Sequence, residues 1–385
     1  MGWAGLRMRA AVVAVAAATA FTGPIAAAET PDVVGGGRLG SKGTVSGRGT
    51  PKLPPVSAQG WLLADADTGA VLAARNAHGR FLPASTMKML TAVTLLPELD
   101  LSARYAATEA DANIEGSKVG IVAGERYRLD KLMEAMLVVS GNDSAHALAA
   151  ANGGMAKTVR QMNATAKRLQ AYDTAARNTS GLDAPGQLTS PYDLALIARE
   201  GLRMPQFRKY SVQLRGYMPA PGGKRFEIYN HNKLLTRYPG AIGVKTGYTL
   251  KARQTYVGAA RRGGRTLIVT LLKSETLYPD AIALLDWGFK AGAAAAPVGR
   301  LVDPVPADQP AEERADRSRT VPIAAPPAEV PVIRSPGGRS GRGYVPLAGG
   351  LAAAGGLVLL RRRSLRRRRG YVGNGTAPRL NLPIR

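Results

Sequence analysis

The spacing of apolar residues changes character twice along this chain, and that limits what it folds into. Near the start, Trp61-Leu62-Leu63-Ala64 and Ala70-Val71-Leu72-Ala73 flank a turn at Asp67-Thr68-Gly69, the pattern of a β-hairpin. Helical spacing then takes over, predicting helices over 85–95, 129–138, 143–151, 157–169 and 191–202. Strand-like runs return at 241–245, 255–260 and 266–272, with hairpin signals at Gly247 and at Gly263-Gly264. An amphipathic helix over 280–289 closes the block. Strands at both ends with helices between predict an α+β domain. The first hairpin is expected to join the later strands in one antiparallel sheet, covered by the last helix.

On either side of this block, at 57–290, the composition changes. Residues 29–56 are rich in Gly, Ser and Pro and read as a flexible leader, and 291–343 are rich in Ala, Pro, Arg and Asp and read as a stalk. Residues 1–28 have the form of a signal peptide. Arg7 and Arg9 precede an apolar run to Phe21, and Ala26-Ala27-Ala28 offers a cleavage site. An uncut anchor is the alternative reading. Residues 344–360 are uncharged and are followed at once by Arg361-Arg362-Arg363. At 1.5 Å per residue, about 17 residues just reach across a hydrocarbon core. They are expected to form a transmembrane helix, with 361–385 a basic cytoplasmic tail and the catalytic block outside. A soluble basic tail is the alternative.

The chain carries 52 Lys and Arg against 27 Asp and Glu, a net charge of +25. Part of the excess is the arginine block, which suits anionic lipid headgroups. No nucleic-acid motif accompanies it, so nucleic acid is not an expected partner. Cysteine is absent, which excludes disulfides, zinc–thiolate sites and a cysteine nucleophile. His78, His146 and His231 are too scattered to suggest a metal site or a Ser-His-Asp triad. No metal or other cofactor is expected.

Three short motifs carry the candidate chemistry. In Ser85-Thr86-Met87-Lys88, the serine and lysine stand three residues apart and share a helix face. A serine hydroxyl is a poor nucleophile until a base takes its proton. A lysine serves as that base only if desolvation or a second cation lowers its pKa. Ser85 near a helix N-terminus also places N–H groups where an oxyanion forms. Ser140-Gly141-Asn142 follows the apolar run Met136-Leu137-Val138-Val139. Ser140 could relay a proton there, and Asn142 offers both an amide donor and an acceptor to a peptide backbone. Lys245-Thr246-Gly247 ends the run Ile242-Gly243-Val244. Its lysine and hydroxyl suit a carboxylate, and the charge of Lys245 would help keep Lys88 neutral. Gly247 leaves room for substrate backbone, and Tyr248 offers a backbone N–H as a second oxyanion donor. Singly, each motif reads as well as a cap, a solvated face or a strand end.

Together and in this order, the trio resembles the signature of penicillin-binding proteins and class A β-lactamases. With their flanks, Arg80-Phe81-Leu82-Pro83-Ala84-Ser85-Thr86-Met87-Lys88, Val138-Val139-Ser140-Gly141-Asn142-Asp143-Ser144-Ala145 and Gly240-Ala241-Ile242-Gly243-Val244-Lys245-Thr246-Gly247-Tyr248-Thr249 resemble the low-molecular-weight D-alanyl-D-alanine carboxypeptidases. Asn178-Thr179-Ser180-Gly181-Leu182-Asp183 and Tyr192-Asp193-Leu194-Ala195 resemble the stretch between their second and third motifs.

The resemblance implies a serine β-lactamase/transpeptidase-like fold, an antiparallel sheet flanked by helices with an all-helical subdomain. It implies removal of the terminal D-alanine from peptidoglycan stem pentapeptides through an acyl-enzyme on Ser85, and acylation by β-lactam antibiotics. Two departures concern loops: Thr179 stands where many members have proline, and Ala252-Arg253 where Ala-Gly is usual. The β-rich second domain of many relatives has no counterpart before the expected stalk. A β-lactamase is the first alternative, but the glutamate of the class A enzymes is missing. Glu200 and Glu227 are the glutamates between the second and third motifs, and neither has the Glu-x-x-Leu-Asn setting. A non-catalytic penicillin sensor is the second; it would be expected to carry a signalling domain beyond the span.

Overall fold

A computed structural model describes residues 33–291 and 295–306. The expected signal peptide, transmembrane helix and cytoplasmic tail, and most of the expected stalk, lie outside the described residues. No helix among the described residues is long and apolar enough to cross a membrane.

Among the described residues a 3-10 turn, Gly37–Gly40, comes first, followed by β1 (Thr44–Ser46) and the hairpin β2 (Gly60–Asp65) and β3 (Ala70–Arg75). A 3-10 turn, Ala84–Met87, leads into α1 (Lys88–Leu95). The short β4 (Arg104–Ala106), α2 (Glu109–Ala112) and β5 (Arg126–Arg128) precede α3 (Leu129–Val138), α4 (Asn142–Ala151) and α5 (Met155–Arg168). Next come α6 (Pro191–Arg203), α7 (Pro205–Val212), the hairpin β6 (Arg215–Ala220) and β7 (Lys224–Tyr229), and α8 (Leu234–Arg237). The long strands β8 (Ala241–Thr249), β9 (Arg253–Arg262) and β10 (Arg265–Ser274), then α9 (Leu277–Ala291) and β11 (Gly299–Arg300), complete it.

The main sheet has seven strands in the order β1-β3-β2-β10-β9-β8, with β11 also on β3. All its pairings are antiparallel, and β10 joins β2 with Val269 opposite Leu63. This is the α+β sheet expected from the sequence. Its two faces face two cores. Leu62, Ala64, Ala259 and Ile268 pack with the helical middle of the chain. Their neighbours Leu63, Ala260, Leu267 and Val269 pack with Leu284, Leu285 and Trp287 of α9. Successive strand residues point to opposite faces, so both members of each neighbouring pair must be apolar.

Three expectations are corrected. Gly247 marks no hairpin: it lies inside β8, opposite Thr255, and the turn comes at 250–252. The described part of the expected leader is not free. Here β1 pairs with β3, Leu39 is 1% exposed, and Trp287 Nε1 donates to the Pro51 carbonyl at 2.9 Å. The expected stalk does not begin at 291, because β11 pairs with β3 and Val298, Leu301 and Val305 are buried. The physical reason is the same at both ends. Without these segments β3 would be a bare edge, its N–H and C=O groups unpaired.

Candidate active site

The turn that carries Ser85 is held from three directions. Ala84 takes a left-handed φ of 45°, so the chain turns sharply into the 3-10 turn that carries Ser85. The Pro83 carbonyl accepts from Thr86 Oγ1 at 2.6 Å and from Thr255 Oγ1 of β9 at 2.9 Å. A Cβ on Gly181 would stand 1.8 Å from the Ala84 carbonyl oxygen, and one on Gly247 would stand 2.7 Å from the Ser85 nitrogen. Both glycines therefore let backbone close onto the turn, one from the 178–183 loop and one from β8.

Lys88 is wholly buried at the start of α1. Its Nζ is 2.9 Å from Ser85 Oγ, 2.7 Å from Asn142 Oδ1 and 2.7 Å from the Ser180 carbonyl oxygen. Burial, with the charge of Lys245 second, holds its pKa well below the usual lysine value, and Asp143 opposes the shift. A neutral amine has two N–H donors and one lone pair. Asn142 Oδ1 and the Ser180 carbonyl only accept, so they take the two donors. The lone pair is left for the Ser85 hydroxyl, which has a proton to give.

Asn142 is aimed by its other end. Its Nδ2 donates to the Glu115 carbonyl at 2.7 Å and its backbone N–H to the Ser117 carbonyl at 2.7 Å. Asp143 accepts from the N–H groups of Val119, Gly120 and Ile121, pinning the facing loop. Ser140, 5% exposed with φ 64°, lies two residues past the end of α3, just before this pair. No described residue is hydrogen-bonded to its hydroxyl. Lys245 is buried in β8, which brings its pKa down to about 7, and among the described residues its Nζ donates only to the Thr246 carbonyl at 2.9 Å. Thr246 is half-buried, and Tyr248 is 56% exposed.

The structure thus joins Ser85, Lys88 and Asn142 directly, sets Gly247 against the Ser85 N–H, and puts Lys245 within electrostatic reach of Lys88. Three contributions were not read from sequence. The Ser180 carbonyl is a backbone atom with no residue signature. Asn178 Oδ1 accepts from the Ser180 and Gly181 N–H groups and shapes that loop. Asp183 Oδ1 accepts from Thr249 Oγ1 at 2.9 Å and ties the loop to β8. The departures are accommodated locally. Thr179 is buried with its hydroxyl on the Ala145 carbonyl, and Arg253 takes φ 58°, the conformation glycine adopts freely.

Two histidines also found partners that spacing did not reveal. His146 Nδ1 lies 2.6 Å from Asp111 Oδ1. His78 joins Asp173 and Asp193, each offering a ligand atom within 4.8 Å of the others. Arg80 Nε donates to Asp173 at 3.3 Å and Thr174 Oγ1 to Asp193 at 2.7 Å, so the two carboxylates already have protein partners.

A buried lysine on a serine hydroxyl, between a helical subdomain and the edge of an antiparallel sheet, defines a serine acyl-transfer peptidase of the penicillin-binding fold. A family model for D-alanyl-D-alanine carboxypeptidases, peptidase S11, matches residues 48–276. The chain belongs to this family. It is 42% identical over 249 residues to the D-alanyl-D-alanine carboxypeptidase DacB2 of Mycobacterium tuberculosis, covering 63% of this chain and 85% of that protein. To DacF of Bacillus subtilis it is 31% identical over 221 residues, 56% of this chain and 57% of that one. Among solved structures, a D-alanyl-D-alanine carboxypeptidase of M. tuberculosis matches with a TM-score of 0.64 at 41% identity, covering 66% of this chain and 99% of that one. The Streptomyces K15 DD-transpeptidase matches with a TM-score of 0.59 at 28% identity, covering 62% of this chain and all of that one.

Proposed function

We propose that Ser85 attacks the carbonyl of the penultimate D-alanine of a peptidoglycan stem peptide, with neutral Lys88 taking its proton. The N–H groups of Ser85 and Tyr248 receive the oxyanion. The bond to the terminal D-alanine breaks, and Ser140 passes a proton to the departing amine. Lys245 and Thr246 hold the terminal carboxylate, and Asn142 aligns the stem. Water then attacks the acyl-enzyme and restores Ser85. β-Lactams would be trapped at the same serine.

One observation carries this reading. Buried Lys88 Nζ touches Ser85 Oγ, Asn142 Oδ1 and the Ser180 carbonyl oxygen, and in its neutral form the last two, which can only accept, leave its lone pair to Ser85 Oγ. Labelling by a fluorescent penicillin tests it. One label per chain is expected, and none in Ser85→Ala; labelling that survives in that variant assigns the nucleophile elsewhere.

The placement of this site is proposed from sequence alone. A signal peptide over 1–28 and a span over 344–360 would put the catalytic domain outside the cell membrane, where the wall substrate is. The arginines after the span would meet anionic lipid headgroups.

A further inference from the structure

The end of the sheet away from Ser85 holds a cavity rich in arginine. It encloses about 540 Å³ between α6, α7 and the near ends of β8, β9 and β10. Arg199, Arg203, Arg208 and Arg261 line it against one carboxylate, Asp67. Asp67 is partly engaged, accepting from the Thr266 N–H at 3.0 Å. Arg199 and Arg203 are partly neutralised from the neighbouring wall, by Asp303 at 3.0 and 3.3 Å, and Arg203 also by Glu200 at 3.7 Å. Arg208 donates to the Leu202 and Arg203 carbonyls at 2.8 and 2.9 Å and has no carboxylate partner among the described residues. Arg261 is exposed on the opposite wall, with no ion pair to a described residue. Ile242 and Val212 supply apolar lining.

We infer that this cavity binds a phosphate ester, its phosphate held between Arg208 and Arg261 and its organic part against Ile242 and Val212. A carboxylate lays two oxygens in one plane and serves one guanidinium fork. A tetrahedral phosphate presents oxygens to forks from both walls. The volume falls within the ~300–1,000 Å³ typical of small-molecule sites and exceeds what a bare anion fills, so the ligand carries further atoms. Each guanidinium lost should weaken binding by about tenfold.

The test titrates the full chain with glycerol 3-phosphate by calorimetry, and separately measures its binding to phosphatidylglycerol vesicles. Each is repeated with Arg261→Gln and with Arg208→Gln/Arg261→Gln. Arg261 touches nothing in the catalytic machinery, so penicillin labelling of its variant should equal wild type and report intact folding. Saturable binding to glycerol 3-phosphate that falls at least tenfold in the variants supports a soluble ester. Arginine-dependent binding confined to vesicles supports a lipid headgroup carrying the same group. Binding that is unchanged in both variants, absent in both arms, or matched by citrate overturns the inference.

Discussion

Lys88 does its proposed work only if it is neutral, and its neighbours decide whether it is. Burial disfavours the ammonium, and Lys245, itself buried, adds like-charge repulsion. A lysine with a lowered pKa gains its free base as pH rises, so the rate of penicillin acylation should climb from acid through that depressed value. Lys245→Gln removes the second cation, and Lys88 should then hold its proton to higher pH. The acid limb of the pH–rate profile should shift upward, and an unmoved limb would show that burial alone sets the base. Lys88→Arg should stop acylation by at least a hundredfold with folding intact, since a guanidinium stays charged at all these pH values. Labelling rate beside thermal melting checks both variants. Gly247→Ala carries a different prediction. Its methyl would stand 2.7 Å from the Ser85 nitrogen and 2.5 Å from Thr255 Oγ1, so β8 must move off the nucleophile turn. Acylation should fall at least tenfold; a wild-type rate would show that the turn and the strand are not held in register.

Between residues and the whole, the segments before β2 and after α9 carry their own tests. Leu39→Ala should cost about 2–5 kcal/mol in a denaturant melt, as for other buried leucines. A flexible leader would give no change. His78 fastens the same segment: Nδ1 faces Asp173 at 2.8 Å and Nε2 faces the Val34 carbonyl at 3.0 Å. Satisfying both requires two N–H donors, hence the imidazolium. Burial opposes that charge, but Asp173, together with Asp193 and the Val34 carbonyl, outweighs it and the His78 pKa is raised. Burial also raises Asp193 from 3.8 to about 7, with Asp173 adding to it. The signs agree. The histidine contribution is complete below pH 6.5 and is lost as pH rises through its raised value. The Asp193 contribution is complete below 3.8 and is lost as pH rises toward 7. Asp193→Asn should therefore gain thermal stability relative to wild type as pH rises from 4 to 8, and a constant difference in Tm would contradict this.

The elements themselves were largely legible. Helices α3 and α6, the first hairpin and the three late strands each carry an uninterrupted apolar period. The hairpin of β6 and β7 was not. Its outer positions Arg215, Tyr217 and Arg225 are exposed, and the strand–turn signal is diluted by Gly216 and Pro219. The two ends were misread because Gly- and Pro-rich composition reports local stiffness, whereas β1 and β11 form only through a distant partner, β3. In the site, side-chain motifs were readable because their chemistry is tied to residue type. The Ser180 carbonyl and the Asp183–Thr249 tie were not, since a backbone oxygen or a loop contact needs the fold to place it.

For the whole molecule, family membership and the Lys88–Ser85 geometry point to one reaction, and the final step is the one static contacts specify least. In the proposed mechanism the three motifs serve acylation, whereas release depends on water reaching the ester. The measurement that decides is D-alanine release from a stem pentapeptide ending in D-Ala-D-Ala, using the full chain and its Ser85→Ala variant. One D-alanine per peptide over many turnovers is expected from wild type, with none from the variant. Unlabelled wild-type enzyme that accepts one penicillin label in a parallel sample yet releases no D-alanine beyond a single turnover, or a Ser85→Ala variant that still releases it, would contradict the account.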